Sequence, residues 1–470
     1  MIVDGPRYRP RIAAAALIVA LGGAATAEAA PGVVKLADTQ LDPTALFFVS
    51  FDGLVNNASY QQSAILSHAG FQYAAWYTAS RAAIVARRKL PAGAWQTVAL
   101  PHQLSTNDSH NSISLGISPT DGRLHVAMDT HDTAVFYVKS EAGLVSDPGN
   151  RTWVASRFGP VQRTLDGLDL GAITYPQFIV TPEQALQLSY RTGRSGAGTN
   201  ELAEYSGSWR ALGKWSAATG TYTQHGATSS SRNLYLHGIQ YGPGGRLHAA
   251  FTWREDNAAV MCNAGGLANH DTGYVFSDDR GRTWRNNAGQ QVAAIGTLTR
   301  VAVGSPGLVV DPLNVDHALI NQESQAIDST GAPHVIISYV PGRFTQCVSD
   351  FVAQRRSFAR AFHLTRNAQG AWTKFEIPVA LNAFGRSQIV LDAASNAYVV
   401  LPFGRIVSAS AASGWTDWTV QFDGAGLGAF GEVVVDRERV ASEGVLSIMY
   451  QRNSTGTTPS PIRVIDFQLE

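Results

Sequence analysis

The chain has 470 residues, and its 36 Lys and Arg balance its 36 Asp and Glu. That neutrality excludes a phosphate-tracking basic surface as the organising feature, so nucleic acid is not an expected partner. With 45 glycines and 10 tryptophans, the composition favours many short strands joined by tight turns.

Residues 1–30 read as a targeting segment. Arg7, Arg9 and Arg11 precede the apolar run IAAAALIVALGGAATA, and AEAA then supplies small residues for cleavage near Ala29 or Ala30. The run falls short of the ~20 residues that a comfortable membrane span needs, and nothing later is long and apolar enough. The expectation is a secreted protein, extracellular or periplasmic, with no membrane partner.

From Leu66 onward one pattern recurs: a turn, then small or apolar residues alternating into a bulky one. It appears as LSHAGFQYAAWYTASR, SPTDGRLHVAMDTH, TPEQALQLSYRTGR, YGPGGRLHAAFTWRE, DSTGAPHVIISYVPGR, DAASNAYVVLPFGR and ASEGVLSIMYQRN. Each reads as strand, tight turn, strand with period-two alternation. Most are followed by a weaker signal in which a turn leads to Trp or Tyr: PAGAWQTV, GNRTWVAS, TGTYTQHG, RGRTWRNN, QGAWTKFE and SGWTDWTV. Two successive strand pairs make one four-stranded blade. Seven such units predict an all-β chain in which residues 31–470 form a single seven-bladed β-propeller domain; two β-sandwiches are the alternative. Ser277–Trp284, SDDRGRTW, fits the Asp-box S-x-D-x-G-x-T-W, a folding device in which Asp and Gly build a hairpin turn and Trp plugs between strands. It points to a propeller and carries no chemistry.

Strand ends around the centre of such a ring are where polar groups can converge. In NDSHNSISLGISPTDGRLHVAMDTH, His110 and His131 flank one hairpin and lie toward the same end of it. His125, His248 and His334 recur directly after a turn, so they are expected to be structural, hydrogen-bonded to a neighbouring blade. ITYPQF places Tyr175 at a strand start beside Pro176. LSYRTGRSGAG puts Arg191 at a hairpin exit, RNLYLHGIQYG carries Tyr235, His237 and Tyr241, and TWRED ends another exit with Arg254. His131, Arg191 and Arg254 thus follow equivalent strands in successive units. Histidines, tyrosines and arginines sharing one mouth make an anion-binding site with acid–base capacity.

These segments, with SFDGLVNNASYQQSAIL, NHDTGYVFSDDRGRTW and LINQESQAIDSTGAPHV, resemble the BNR-repeat-containing proteins that include seven-bladed propeller polysaccharide lyases. Ulvan lyases and the L-rhamnose-α-1,4-D-glucuronate lyases acting on gum arabic side chains are among them. The resemblance implies cleavage next to a uronic acid by β-elimination, with an acidic polysaccharide or oligosaccharide as partner. It implies His110 as the principal acid–base residue, Tyr175 as its partner, and His131 as a supporting group. Arg191 and Arg254 would neutralise the carboxylate, with Tyr235 and Tyr241 as further substrate contacts. Where relatives carry DHH this chain has DTH, leaving His131 alone.

No cofactor is expected for catalysis, and a monomer is expected because a closed ring needs no partner. Cys262 and Cys347 are the 2 cysteines. With His270 and His334 they could form a structural zinc site, or pair as a disulfide, or remain free. The competing functions are a sialidase-like glycoside hydrolase, suggested by the Asp-box, and a carbohydrate-binding propeller without catalysis.

Overall fold

The computed structural model describes residues 30–60, 63–263 and 265–470; the expected targeting segment, apart from Ala30, lies outside them. The chain is all-β, and its described residues form seven antiparallel sheets. The first holds Ile65–His68, Phe71–Tyr77, Ala82–Lys89 and Gln96–Gln103 in that order. The second is a three-stranded sheet of Ser114–Ser118, Arg123–Met128 and Phe136–Lys139. The third begins with Ile173–Val180 and Leu186–Arg194, and the fourth is built on Ala227–Tyr241 and Leu247–Glu255. The fifth, sixth and seventh start at Ser324–Ile327, Gln388–Leu391 and Val434–Val435.

All seven repeated segments fall on a connection between two successive, paired strands of one sheet. Six are turns, and the last is a helix, Arg437–Glu443. The Asp436 carboxylate accepts the Arg439 N–H at 3.1 Å, and Gly444 in the left-handed region (φ 66°) ends the helix. An N-cap aspartate and a C-terminal glycine therefore override the strand pattern there. The weaker Trp signals are less regular. Trp372 opens an outer strand as expected, but no strand forms at GNRTWVAS. Trp153 there packs against Tyr73 and Arg87 of the first sheet.

The first strands abut in succession. Ser114–Ser118 lies against Ile173–Val180, Ala227–Tyr241 against Ser324–Ile327, and Ser324–Ile327 against Gln388–Leu391. Val434–Val435 and the helix after it lie against Ile65–His68, so the succession returns to its start. The outermost strand of the seventh sheet is N-terminal: Val33–Ala45 pairs with Ser460–Leu469, from Val33 opposite Leu469 to Ala45 opposite Ser460. Apolar clusters fill the spaces between adjacent sheets, as where Val126 and Leu124 meet Val85 and Tyr73.

The histidines expected to be structural are buried, but their hydrogen bonds stay within their own sheets. His125 Nδ1 meets the Tyr137 hydroxyl at 2.7 Å, His248 Nδ1 meets that of Tyr274 at 2.6 Å, and His334 Nδ1 meets His363 Nε2 at 2.9 Å. The neighbouring sheet supplies ring contacts instead, from Tyr205 onto His125 and from Trp415 onto His334.

The Asp-box closes as its sequence requires. Asp279 accepts the Thr283 N–H and the Thr283 hydroxyl, each at 2.8 Å, while Ser277 Oγ accepts the Gly281 N–H at 2.8 Å. Gly281 has φ 81°, and a Cβ there would stand 2.4 Å from Leu202. Trp284 is fully buried and stacks on Trp215 at 4.3 Å. Asp279→Ala strips a turn of its acceptors, so a loss of about 1–3 kcal/mol in urea unfolding is expected. Activity per folded molecule should not change, because the turn lies outside the site.

Candidate active site

The site is assembled from the abutting strands that carry Tyr175 and Tyr235, the strands paired with them that carry Arg191 and Arg254, and the segments around the second sheet that hold Asp108, His110 and His131. Asp108 is its electrostatic hinge. One carboxylate oxygen accepts from His110 Nδ1 at 2.5 Å and the other from His131 Nδ1 at 2.6 Å, and the imidazoles stack with centroids 4.3 Å apart. Burial pushes the Asp108 carboxyl upward, but hydrogen bonds from the two histidines outweigh it and hold it well below the usual range. An ionised Asp108 fixes the proton of each ring on Nδ1, which leaves Nε2 as the acceptor of neutral His110. Burial lowers the His110 pKa; the Asp108 hydrogen bond raises it, and the charges of His131 and Arg386 lower it. The net shift is downward, so His110 is neutral at neutral pH.

Tyr175 stands beside this pair, its ring 5.9 Å from His110 and 5.4 Å from Tyr60. The register of its strand slips here: Ser189 faces Gln177, but Arg191 faces Thr174. Tyr175 occupies the resulting bulge at φ 58°, a left-handed conformation unfavourable for an aromatic residue before proline. Such strain persists only where its surroundings enforce it, and active sites are where it clusters. Burial pushes the Tyr175 phenol up, as does Tyr235, against the lowering influence of Arg191, Arg386 and Arg254. It therefore keeps its proton at neutral pH.

Arg191 is buried with its guanidinium 5.1 Å from the Tyr175 ring. Its Nη1 donates to the Tyr235 hydroxyl at 3.2 Å and its Nη2 to Thr174 Oγ1 at 3.1 Å, while its buried Nε–H has no protein partner. Arg254 approaches Tyr235 from the next strand at 6.0 Å. Tyr60, Tyr175, Gln177, Arg191, Tyr235 and Gln322 line a recess of about 410 Å³, counting the open space at its mouth. His110, His131, Tyr175, Arg191, Tyr235 and Arg254 are thus brought together.

Tyr241 is not with them. It lies six residues beyond Tyr235 on the same strand, on the order of 20 Å away, and donates to Gln187 Oε1 at 2.8 Å. His237 is buried between the fourth and fifth sheets, accepting the Glu323 N–H on Nδ1 at 3.1 Å. Burial, with a smaller contribution from Arg386, pulls its pKa down to about 3.

The zinc alternative is corrected. Cys262 and Cys347 form a disulfide that joins the exit loops of the fourth and fifth sheets, so neither thiolate is available to a metal. His270 is held instead by Glu255 and Asp271, each at 3.0 Å, and His334 by His363 and Asp328. The four residues do not share a site.

Sequence reasoning missed four residues of the constellation: Tyr60, Asp108, Arg386 and Glu432. Arg386 lies over the Tyr60 ring at 5.0 Å. It donates to Asn321 O and Oδ1 and pairs with Glu432 at 2.8 Å. Glu432 in turn accepts the Ser59 N–H and hydroxyl, each at 2.9 Å, which braces Tyr60. Tyr60, Asp108, Arg386 and Glu432 each precede the first strand of a sheet by a few residues. Their common place, in the segment that leads into such a strand, was the signal available.

Residues 71–379 match the model of the BNR repeat-containing family. An ulvan lyase, long isoform, of an Alteromonas species is 22% identical over 277 residues, covering 50% of this chain and 27% of that protein. A Pseudoalteromonas ulvan lyase, long isoform, is 23% identical over 280 residues with the same coverage. The chain therefore matches about a quarter of the length of these curated relatives. Among solved structures, the polysaccharide lyase Uly1 superposes with a TM-score of 0.69 at 17% identity, over 93% of this chain and 100% of that one. An ulvan lyase of family PL25 bound to -[GlcA(1-4)Rha3S]- gives 0.62 at 12% identity, over 90% and 94%. The chain belongs to the BNR repeat-containing family and has the fold of these polysaccharide lyases.

Proposed function

We propose that the protein is a secreted polysaccharide lyase that cleaves next to a uronic acid by β-elimination. Its substrate is a rhamnose–glucuronate type linkage, as in ulvan or gum arabic side chains. The seven sheets are read as the blades of one propeller domain spanning residues 31–470, acting as a monomer and without a catalytic cofactor. The observation that carries the reading is the meeting of His110, Tyr175 and Arg191 within the span of one monosaccharide, with ring and guanidinium separations of 5.9 and 5.1 Å.

A proton on C5 of an ionised uronate is very weakly acidic, because its removal places negative charge next to a carboxylate. Arg191, with Arg254, offsets that charge as enolate character develops. Neutral His110 takes the C5 proton on Nε2. The electron pair forms the C4–C5 double bond, the C4–O bond breaks, and the Tyr175 phenol supplies the proton to the leaving oxygen. The product carries a 4,5-unsaturated uronate at its new non-reducing end.

The hydrolase alternative needs a carboxylate on a nucleophilic tyrosine, whereas the Tyr235 hydroxyl contacts Arg191 and Ser195 and that of Tyr60 contacts Ser109. Incubation with ulvan, gum arabic and other uronate polymers tests the proposal. Ultraviolet absorbance of the unsaturated product should rise with the wild type. New reducing ends without absorbance would establish hydrolysis, and retention without turnover would establish binding alone.

The pH profile follows from His110. Its pKa lies below the ordinary 6.5, so the base form is lost only as pH falls through that lowered value, and the acidic limb of kcat/KM should lie below pH 6.5. Asp108→Asn removes a charge that favours protonated His110, so the limb should move to still lower pH. The plateau should also drop by about 10–100-fold, the value of a hydrogen bond to a charged group. A limb that moves upward would contradict the assigned role of Asp108.

A further inference from the structure

Beside the acid–base pair stands a residue that the mechanism leaves unused. Phe51 is 69% exposed, the most exposed phenylalanine among the described residues with large apolar exposure. Its ring meets that of His110 edge-on at 4.7 Å. Ser50 to Gly53 form a tight turn closed by reciprocal backbone hydrogen bonds, Gly53 N to Ser50 O at 2.9 Å and Ser50 N to Gly53 O at 3.1 Å. Both central residues are left-handed, Phe51 at φ 49° and Asp52 at φ 60°. Turns of that kind select Asn and Gly, and a bulky side chain there is strained. An apolar ring in water adds nothing that offsets the strain.

The turn is nonetheless anchored from two sides. Ser109 Oγ, one residue before His110, donates to Ser50 O at 2.8 Å, and Arg356 faces Asp52 at 3.9 Å. The other exposed aromatic pair is different: Phe344 and Phe358 stack on each other at 5.4 Å, and Phe344 lies under Arg343 and Arg360. Those rings have partners, whereas the outer face of Phe51 is open to solvent.

We propose that Phe51 is a sugar-stacking platform that binds the pyranose adjoining the uronate, through the apolar C–H face of a deoxyhexose or similar ring. The C–H bonds of such a face carry partial positive charge and complement the negative face of the phenyl ring. Stacking also removes apolar surface from water on both partners. The edge contact with His110 fixes the platform relative to the base, so a sugar seated on Phe51 places its neighbour over the recess. This inference rests on the uronate reading of the site, since it concerns the next residue of the same glycan.

The test is calorimetric binding of size-defined ulvan oligosaccharides in the Tyr175→Phe background, where turnover is suppressed. Phe51→Ala should weaken binding about tenfold, and Phe51→Trp should change it less than threefold. Phe51→Asn, which suits the left-handed turn, should weaken binding as alanine does while the thermal midpoint stays the same or rises. Phe403 is also left-handed, at φ 66°, and 40% exposed, in a turn of the sixth sheet. Phe403→Ala should leave affinity unchanged. Phe51→Ala and Phe51→Trp both binding as tightly as the parent, equal weakening by Phe403→Ala, or no measurable binding with Phe51 intact would overturn the proposal. Binding that depends on Phe51 in a protein giving no unsaturated product would instead retain the platform and remove the lyase.

Discussion

Replacing His110 with alanine is expected to lower kcat/KM on a uronate polymer by about 10²–10⁴-fold, the usual contribution of a positioned acid–base group. The argument rests on three features together: a ring kept neutral by burial, a proton fixed on Nδ1 by Asp108, and Tyr175 within reach of the same sugar. His131 shares the Asp108 carboxylate but cannot replace the lost base, because its position is set by the other oxygen. Initial rates of ultraviolet absorbance, with the unfolding midpoint as a control for integrity, measure the effect. A rate within threefold of wild type would remove His110 from the chemistry.

Arg191→Lys should be the second large loss, about 10²–10³-fold on an ionised uronate. Lysine keeps the charge but lacks the planar fork. Arg191 already commits Nη1 to Tyr235 and Nη2 to Thr174 while its Nε–H has no protein partner. A single ammonium cannot hold both neighbours and still present a directed donor to a carboxylate. The substrate offers an internal check. Methyl esterification removes the charge that Arg191 is there to offset, so the loss should shrink markedly on an esterified polymer. Equal losses on both polymers would mean that Arg191 only supports Tyr235 and Thr174.

The hairpins were readable because a tight turn flanked by alternating residues is a local signal, and each of the seven segments does mark a strand connection. The pattern failed where local signals compete. Asp436 and Gly444 cap a helix that runs into the start of the last segment, and Trp153 serves a neighbouring sheet rather than a strand of its own. Tyr235 and Tyr241 looked like one motif, yet the 15-residue strand holds Tyr235 near its middle and Tyr241 at its end. Tyr60, Arg386 and Glu432 were missed for another reason. Their partnership spans the chain, as the Ser59–Glu432 contact across 373 positions shows, and no periodicity marks the irregular segments that hold them. Asp108 was within reach, two residues before His110, but a strand-centred search passes over the turn that precedes a strand. The cysteines could not be resolved from spacing, because pairing depends on which exit loops become neighbours.

The pairing of Val33–Ala45 with Ser460–Leu469 imposes an order on synthesis. Val33–Ala45 leaves the ribosome long before its hydrogen-bonding mate, so the seventh sheet can be completed only once Ser460–Leu469 has emerged. Until then an unmated edge is available to other chains. Deletion of the closing strand should therefore show itself as aggregation during expression.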